Sequence, residues 1–229
     1  MKNSTSFKRV RSGNDTRELI LAEAVELFHT QGFVKASTRK LAKNMGLTSS
    51  SIYNHFINKE AILFTIIQRA GEKVLATLAE AIENCDDPQE CLKQMITGML
   101  SLFRVNAMKK EIAIFIDELY QLPQNYRKLC NQQHRMIFDL FRDKIYEMEK
   151  KNLINPVNPT VAAFGILGAI LWVYHWFKED GSLSIEEIAD EMCRNLLFDG
   201  LMAKTFSSLP QPTENGKGAK PRGKKIYNH

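Results

Sequence analysis

Apolar residues recur along this chain at spacings of three and four, and no stretch alternates Val, Ile and Thr with polar residues as a half-buried strand would. Helix start and stop signals divide the chain into about nine segments, so the sequence predicts an all-α protein. The first segment opens at Asp15-x-x-Glu18, read as a capping pair, carries Ile20, Leu21, Ala24, Leu27 and Phe28 on one face, and stops at Gly32. Ser37 opens a second segment that closes at Met45-Gly46. Thr48 caps a very short third, residues 49–55, and Asn58 caps a long fourth with Ile62, Leu63, Ile66, Ile67, Ala70, Val74 and Leu78 in register.

Later punctuation is just as regular. Asp87-Pro88 and Asn158-Pro159 each pair an N-cap with proline at the first helical position, and Pro123 separates two further segments. Ser184-x-x-Glu187 has the form of a capping box and starts the last helix, with Ile188, Met192, Leu196, Leu197 and Leu201 near helical spacing. Beyond Phe206 the chain turns to Pro, Gly, Lys and polar residues, and 207–229 reads as a disordered basic tail without the apolar area to offset ordering entropy. Residues 161–174 form an uncharged, largely apolar run of 14, short of the roughly 20 that a membrane span needs and suited instead to a buried helix.

Composition adds little until it is divided by region. Hydrophobic residues make up 44% and charged residues 25% of the 229, ordinary for a globular protein. Residues 1–60 hold 10 basic and 5 acidic side chains, residues 61–205 hold 16 and 20, and residues 206–229 hold 5 and 1. A basic first quarter on an acidic body suggests a polyanion-binding module attached to something that need not touch the polyanion. Cys85, Cys91, Cys130 and Cys193 show neither Cys-x-x-Cys nor disulfide-framework spacing, and no signal peptide is recognisable, so a cytoplasmic protein with reduced thiols is expected.

Residues 37–56 carry the chemistry. Leu41, Ala42, Met45, Leu47, Ile52 and Phe56 suit two short crossed helices, with Gly46 at the turn where a positive φ is needed and small Ala42 allowing close approach. This is a helix-turn-helix pattern, and it leaves Thr48, Ser49, Ser50, Ser51, Tyr53, Asn54 and His55 on the second helix, with Thr38, Arg39 and Lys40 on the first. Hydroxyl, amide and imidazole groups on such a helix reach base edges or phosphates in the major groove. Arg39 could read guanine bidentately, contact the backbone or form a salt bridge. The basic start, with Lys2, Lys8, Arg9 and Arg11, is either a DNA-contacting arm or a solubilising tail.

Phe28, Gly32-Phe33, Ser37-Thr38-Arg39-Lys40-Leu41-Ala42, Gly46-Leu47 and Ile52-Tyr53-Asn54-His55-Phe56-x-x-Lys59-Glu60-Ala61-Ile62-Leu63 together resemble the amino-terminal domain of TetR-family repressors, over roughly residues 15–64. The resemblance implies a homodimeric, ligand-responsive repressor of palindromic operators. It also implies that Tyr53 and His55 meet DNA and that Lys59 contacts phosphate at the start of the fourth helix. The implied organisation is a flexible basic arm (1–13), a helix-turn-helix domain (14–60), a ligand-binding and dimerisation domain (61–206) and the tail (207–229).

Within the body, Ala162, Ala163, Gly165, Gly168 and Ala169 leave one apolar helix thin enough for close approach. That helix is expected to pair with the last one across a dimer two-fold, the other reading being a monomer-core helix. Leu171-Trp172-Val173-Tyr174-His175-Trp176, running on to Ile185-Glu186-Glu187-Ile188-Ala189, resembles the Trp-rich motif of TetR-like regulators of fatty-acid and steroid catabolism. This implies an acyl-CoA effector, although Leu171 stands where those regulators carry Asn. Trp172 and Trp176 are therefore candidate ligand contacts, against the reading that they are core. Met99, Phe103, Phe115, Leu119, Tyr120 and Met136 are the other pocket candidates, with Met95 and Phe141 beside them. Arg127, Lys128 and Arg135 could meet CoA phosphates or be solvated surface charge.

Two rival classes remain. An enzyme has little to stand on, because metalloprotease, nucleophile-elbow, Walker and dinucleotide motifs are missing, and His29, His134 and His175 lack metal-ligand spacing. No cofactor is expected. A ligand-independent DNA-binding scaffold predicts a fully packed body, whereas a sensor of an acyl-CoA, a drug or another apolar molecule predicts a cavity.

Overall fold

The computed structural model describes residues 13–83 and 85–198. The expectations for the basic arm, the tail and Leu201 lie outside those residues, as do the side chains of Leu196 and Leu197. Nine α-helices and no strand are found among the described residues: α1 (Gly13–Gln31), α2 (Thr38–Asn44), α3 (Ser49–Tyr53), α4 (Lys59–Glu83), α5 (Pro88–Ser101), α6 (Asn106–Asp117), α7 (Gln124–Lys150), α8 (Pro159–Trp176) and α9 (Ile185–Met192). A tight 3-10 turn, Leu102–Arg104, joins α5 to α6, and a second, Leu119–Gln121, joins α6 to α7.

The caps hold the helix starts where the sequence placed them. The Ser37 hydroxyl accepts the Lys40 amide at 3.2 Å, Thr48 accepts Ser51 at 3.2 Å, and Asn58 accepts Ala61 at 2.7 Å. Asp87 caps α5 ahead of Pro88, Asn158 caps α8 ahead of Pro159, and Ser184 and Glu187 close a full capping box on α9. Each such cap is worth about 1 kcal/mol to its helix. Gly32 and Gly46 take φ of +75° and +65°, the left-handed conformation that ends α1 and turns α2 into α3. Two expectations need correction. α1 starts at Gly13, so Asp15 lies inside its first turn, where a carboxylate favours the positive end of the helix dipole. The third helix stops at Tyr53, since the following residues turn towards α4.

One continuous apolar core runs through the molecule. α4 is its axis, packing against α5, α6 and α7 and against α1, while α8 lies on α7 and α9 on α5. Ile62, Leu63, Ile66 and Ile67 of α4 pack among Ile20, Ala24 and Phe28 of α1 at the head end, and Val74 and Leu78 reach the body. α6 rests against α1, so the body touches the head directly. Polar links across that junction include Arg69 to Glu18 at 2.6 and 2.7 Å, Lys110 to Glu26 at 2.6 Å, and the Glu118 carboxylate, which accepts the Phe33 amide at 2.9 Å.

α8 is long and apolar enough to span a membrane by length and composition alone. One face, with Ala163, Ile166, Ile170 and Val173, is buried against the body. Val161, Phe164, Gly165, Gly168, Trp172 and Trp176 follow each other along the opposite, exposed face. In the described part of α9, Ile185, Ile188 and Ala189 are buried, while Glu186, Glu187, Asp190 and Glu191 face outward.

Candidate nucleic-acid interface and ligand cavity

The reading surface is built by burying one side of each short helix. Leu41 and Ala42 of α2, Ile52 of α3 and Phe56 enter the core, which turns Arg39, Ser50, Tyr53 and Asn54 outward. Thr48, the cap of α3, is exposed as well, and Thr38, Ser49, Ser51 and His55 are half-buried at the margins. Tyr53 shares a 3.1 Å hydrogen bond with the Thr38 hydroxyl, which steers its ring across the gap between the two helices. Thr48 and Ser51 share another at 2.9 Å. Thr38, Arg39, Thr48, Ser49, Ser50, Ser51, Tyr53, Asn54 and His55 thus come together on one side of the head.

Lys59, whose position implies a phosphate contact, also has partners inside the head. Its ammonium donates to the carbonyls of Phe33 and Ala36 at 2.9 and 3.0 Å and lies 4.0 Å from the centre of the Phe33 ring. An ammonium has three donors, so two are committed to the loop between α1 and α2 and one N–H is left. The side chain works first as a clamp on that loop. Glu118 grips the same loop from the body through Phe33, a contact that sequence reasoning missed because 85 positions separate the partners.

The second site is a cavity of about 350 Å³ enclosed by α4, α5, α6, α7 and α8. Val74, Met99, Leu102, Phe103, Ile112, Phe115, Leu119, Ile137 and Leu167 form its apolar wall, and Tyr120, Phe138, Phe164, Gly168 and Leu171 also line it. Its volume falls at the lower end of small-molecule pockets, about 300–1,000 Å³. Tyr120 is 77% exposed and Phe164 63%, which places both at the rim, where Phe164 packs on Phe138 with ring centres 4.5 Å apart. Of the predicted pocket residues, Met99, Phe103, Phe115, Leu119 and Tyr120 line this space.

Met136, Trp172 and Trp176 are not among the residues that line it. Met136 is 54% exposed on the outer side of α7, because Ile137 takes the inward position. Trp172 is 64% exposed on the outer face of α8, where Leu167 and Leu171 supply the cavity wall, and Trp176 follows it one turn later. Met95 and Phe141 are fully buried core. Lys128 and Arg135 are exposed and Arg127 half-buried, and none of the three is among the lining residues.

His134, which lacks metal-ligand spacing in the sequence and is not among the pocket candidates there, also lines the cavity. Its ring lies 4.0 Å from that of Phe115, and its Nε2 is buried without a hydrogen-bond partner. Burial lowers its pKa below the ordinary histidine value, since the apolar walls disfavour the imidazolium. Among the described residues, no three His, Cys, Asp or Glu side chains group as a metal site.

Family comparison gives this arrangement its context. Residues 20–66 match the model for bacterial regulatory proteins of the tetR family, and residues 85–201 match the tetracyclin repressor-like C-terminal domain. The chain belongs to the TetR family. A TetR-family protein is a DNA-binding transcriptional regulator, and membership, rather than any missing motif, sets the enzyme reading aside. The chain is 29% identical to the transcriptional regulator UidR of Escherichia coli K12 over 141 residues, 62% of this chain and 70% of UidR. It is 24% identical to the repressor KstR2 of Rhodococcus jostii RHA1 over 193 residues, 83% of this chain and 92% of that repressor. The crystal structure of AibR with isovaleryl coenzyme A and operator DNA superposes with a TM-score of 0.73 at 29% identity, covering 78% of this chain and 96% of AibR. KstR2 of Mycobacterium tuberculosis gives a TM-score of 0.76 at 17% identity, a likeness of fold.

Proposed function

We propose that this TetR-family repressor acts in the cytoplasm as a homodimer, holding a palindromic operator through α2 and α3 and releasing it when an apolar effector fills the cavity. In this reading the head spans 14–60 and the body 61–206, and Arg39, Ser50, Tyr53 and Asn54 face the groove. The uncovered face of α8, thinned by Gly165 and Gly168, is the natural surface for the second subunit, and two reading heads are what a pair of half-sites requires.

The observation that carries the reading is the position of residues 118–120. Leu119 and Tyr120 line the cavity, while Glu118 beside them holds the Phe33 amide in the loop that Lys59 also clamps. A ligand that pushes on Leu119 and Tyr120 therefore acts on the loop leading into α2. An effector releases DNA only as far as it prefers the displaced arrangement, and the coupling is reciprocal.

The effector we favour is an acyl-CoA whose short acyl group enters the cavity while the CoA portion stays at the rim. AibR, which binds isovaleryl coenzyme A, supports this, as does the cavity's modest volume. The absence of Lys and Arg from the lining favours a second reading, a small apolar molecule with no CoA. Fluorescence anisotropy on the protein's own upstream intergenic DNA at fixed salt separates the two. Release by isovaleryl-CoA but not by isovalerate or CoA supports the thioester. Release by none of them, with a small apolar panel succeeding, moves the assignment to the second reading. Salt is held constant because counterion release would imitate induction.

A further inference from the structure

In a cavity with apolar walls, a polar atom without a partner indicates what the ligand must bring. Among the lining residues only Tyr120 and His134 carry polar side-chain atoms, and the Tyr120 side chain stands at the exposed rim. His134 Nε2 is closed off from water with no partner inside the protein, and its ring packs tilted against Phe115, so a ligand atom reaches Nε2 only by a turn of that ring. A stranded polar group destabilises the protein, and a ligand atom that pairs with it removes that cost. Among the described residues no Asp, Glu, Lys or Arg lines the cavity, so none of them would neutralise a charged ligand group inside it.

We infer that the cavity takes a ligand with an apolar body and one uncharged oxygen, a carbonyl or a hydroxyl, seated against Nε2 of His134. The inference rests on the cavity being the effector site and adds the feature that selects among apolar effectors. A neutral imidazole offers one N–H and one bare nitrogen. If Nε2 carries the hydrogen it donates to a carbonyl, and if it is bare it accepts from a hydroxyl. The depressed pKa agrees, because an imidazole kept neutral pairs with an uncharged oxygen rather than with a carboxylate. A thioester carbonyl, a ketone and an alcohol all qualify; a plain hydrocarbon does not.

The test uses the full chain, wild type and His134→Phe, titrated calorimetrically with cyclohexanone, cyclohexanol and cyclohexane, which share one ring. The His134→Phe change should weaken the better of the two oxygenated probes about tenfold relative to cyclohexane, the order expected for one buried hydrogen bond. An unchanged ratio of oxygenated probe to hydrocarbon overturns the role of His134 while leaving the cavity as the effector site. Failure of all three to bind the wild type overturns the cavity reading and this inference with it. A second measurement needs no variant: in protein labelled with nitrogen-15 at histidine, cyclohexanone or cyclohexanol should shift the His134 Nε2 resonance and cyclohexane should not. Saturation by both oxygenated probes with that resonance unmoved would overturn the proposal.

Discussion

In the head, Ile52, Phe56, Leu41 and Phe28 bury their apolar surface while Ser50 and Tyr53 of α3 face out. In the body, side chains of the same kind, Met99, Phe103, Phe115 and Ile137, converge on about 350 Å³ that none of them fills. The difference follows from what each region must do. A surface that reads base edges has to hold its donors and acceptors to a fraction of an ångström, which close packing beneath it supports. A sensor needs two arrangements of similar free energy, and an unfilled core supplies one whose preference a ligand can reverse. Glu118 sits where the two meet, on the body by sequence and on the head by its hydrogen bond.

Cavity-creating substitutions should break the comparison most sharply. Ile52→Ala removes buried methyl groups from a region with no slack, and large-to-small changes at such sites cost about 2–5 kcal/mol. Denaturant unfolding should show that loss, and operator binding should disappear with it. Leu119→Ala at the cavity wall should cost less, because part of that side chain already faces empty space. Equal losses at the two positions would mean that the void closes in solution.

Arg39→Ala tests the outward face without touching the core. If Arg39 reads guanine bidentately, the substitution costs about 1–3 kcal/mol of operator affinity and relaxes specificity at one base pair. If it contacts phosphate, affinity falls on all sequences and the dependence on log salt becomes shallower by about one. The melting temperature should move little in either case, since the side chain is exposed.

Glu118→Ala asks whether the two regions are coupled through this contact. Coupling between an effector and an operator is typically worth about 1–3 kcal/mol. Removing the carboxylate should shrink it, so that effector changes the operator affinity less than in the wild type while both ligands still bind. Anisotropy titrations with and without effector measure that difference. An unchanged difference would place the coupling in the other junction contacts, Arg69 with Glu18 and Lys110 with Glu26.

These experiments also divide what the sequence could show from what it could not. Ser37, Gly46, Thr48 and Asn58 are local signals, each acting within four residues, and they mark the head's helices in the sequence as clearly as in the structure. The inward faces of α4 and α5 are legible for the same reason, and with them Met99 of α5 and Phe103 in the turn that follows it. Apolar character does not say which neighbour covers a residue, which is why Met136, Trp172 and Trp176 are pocket candidates in the sequence and lie outside the cavity lining in the structure. On α8 both faces are apolar, so periodicity carries no direction there. Lys59 was assigned to phosphate on its position at a helix start, yet its nearest acceptors are carbonyls 26 and 23 residues earlier. Glu118 and His134 owe their settings to chain segments far away, and no pattern along the sequence marks them.

The smallest effect concerns His134 and pH. Its folded-state pKa is depressed by burial, while the unfolded chain takes up the proton at the ordinary value of 6.5. The unfolded state therefore binds more protons as pH falls through 6.5, and the folded state loses stability relative to it. The contribution is fully present above that pH and declines below it. His134→Phe removes the group from both states, so melting temperature should fall less steeply between pH 7 and pH 5.5 in the variant than in the wild type. In the head the histidines stand away from the packed interior, His29 exposed and His55 half-buried at its edge. A pH dependence that survives His134→Phe unchanged would show that the cavity wall does not hold this imidazole neutral, and the distinction between a filled head and a sensing body would then rest on volume alone.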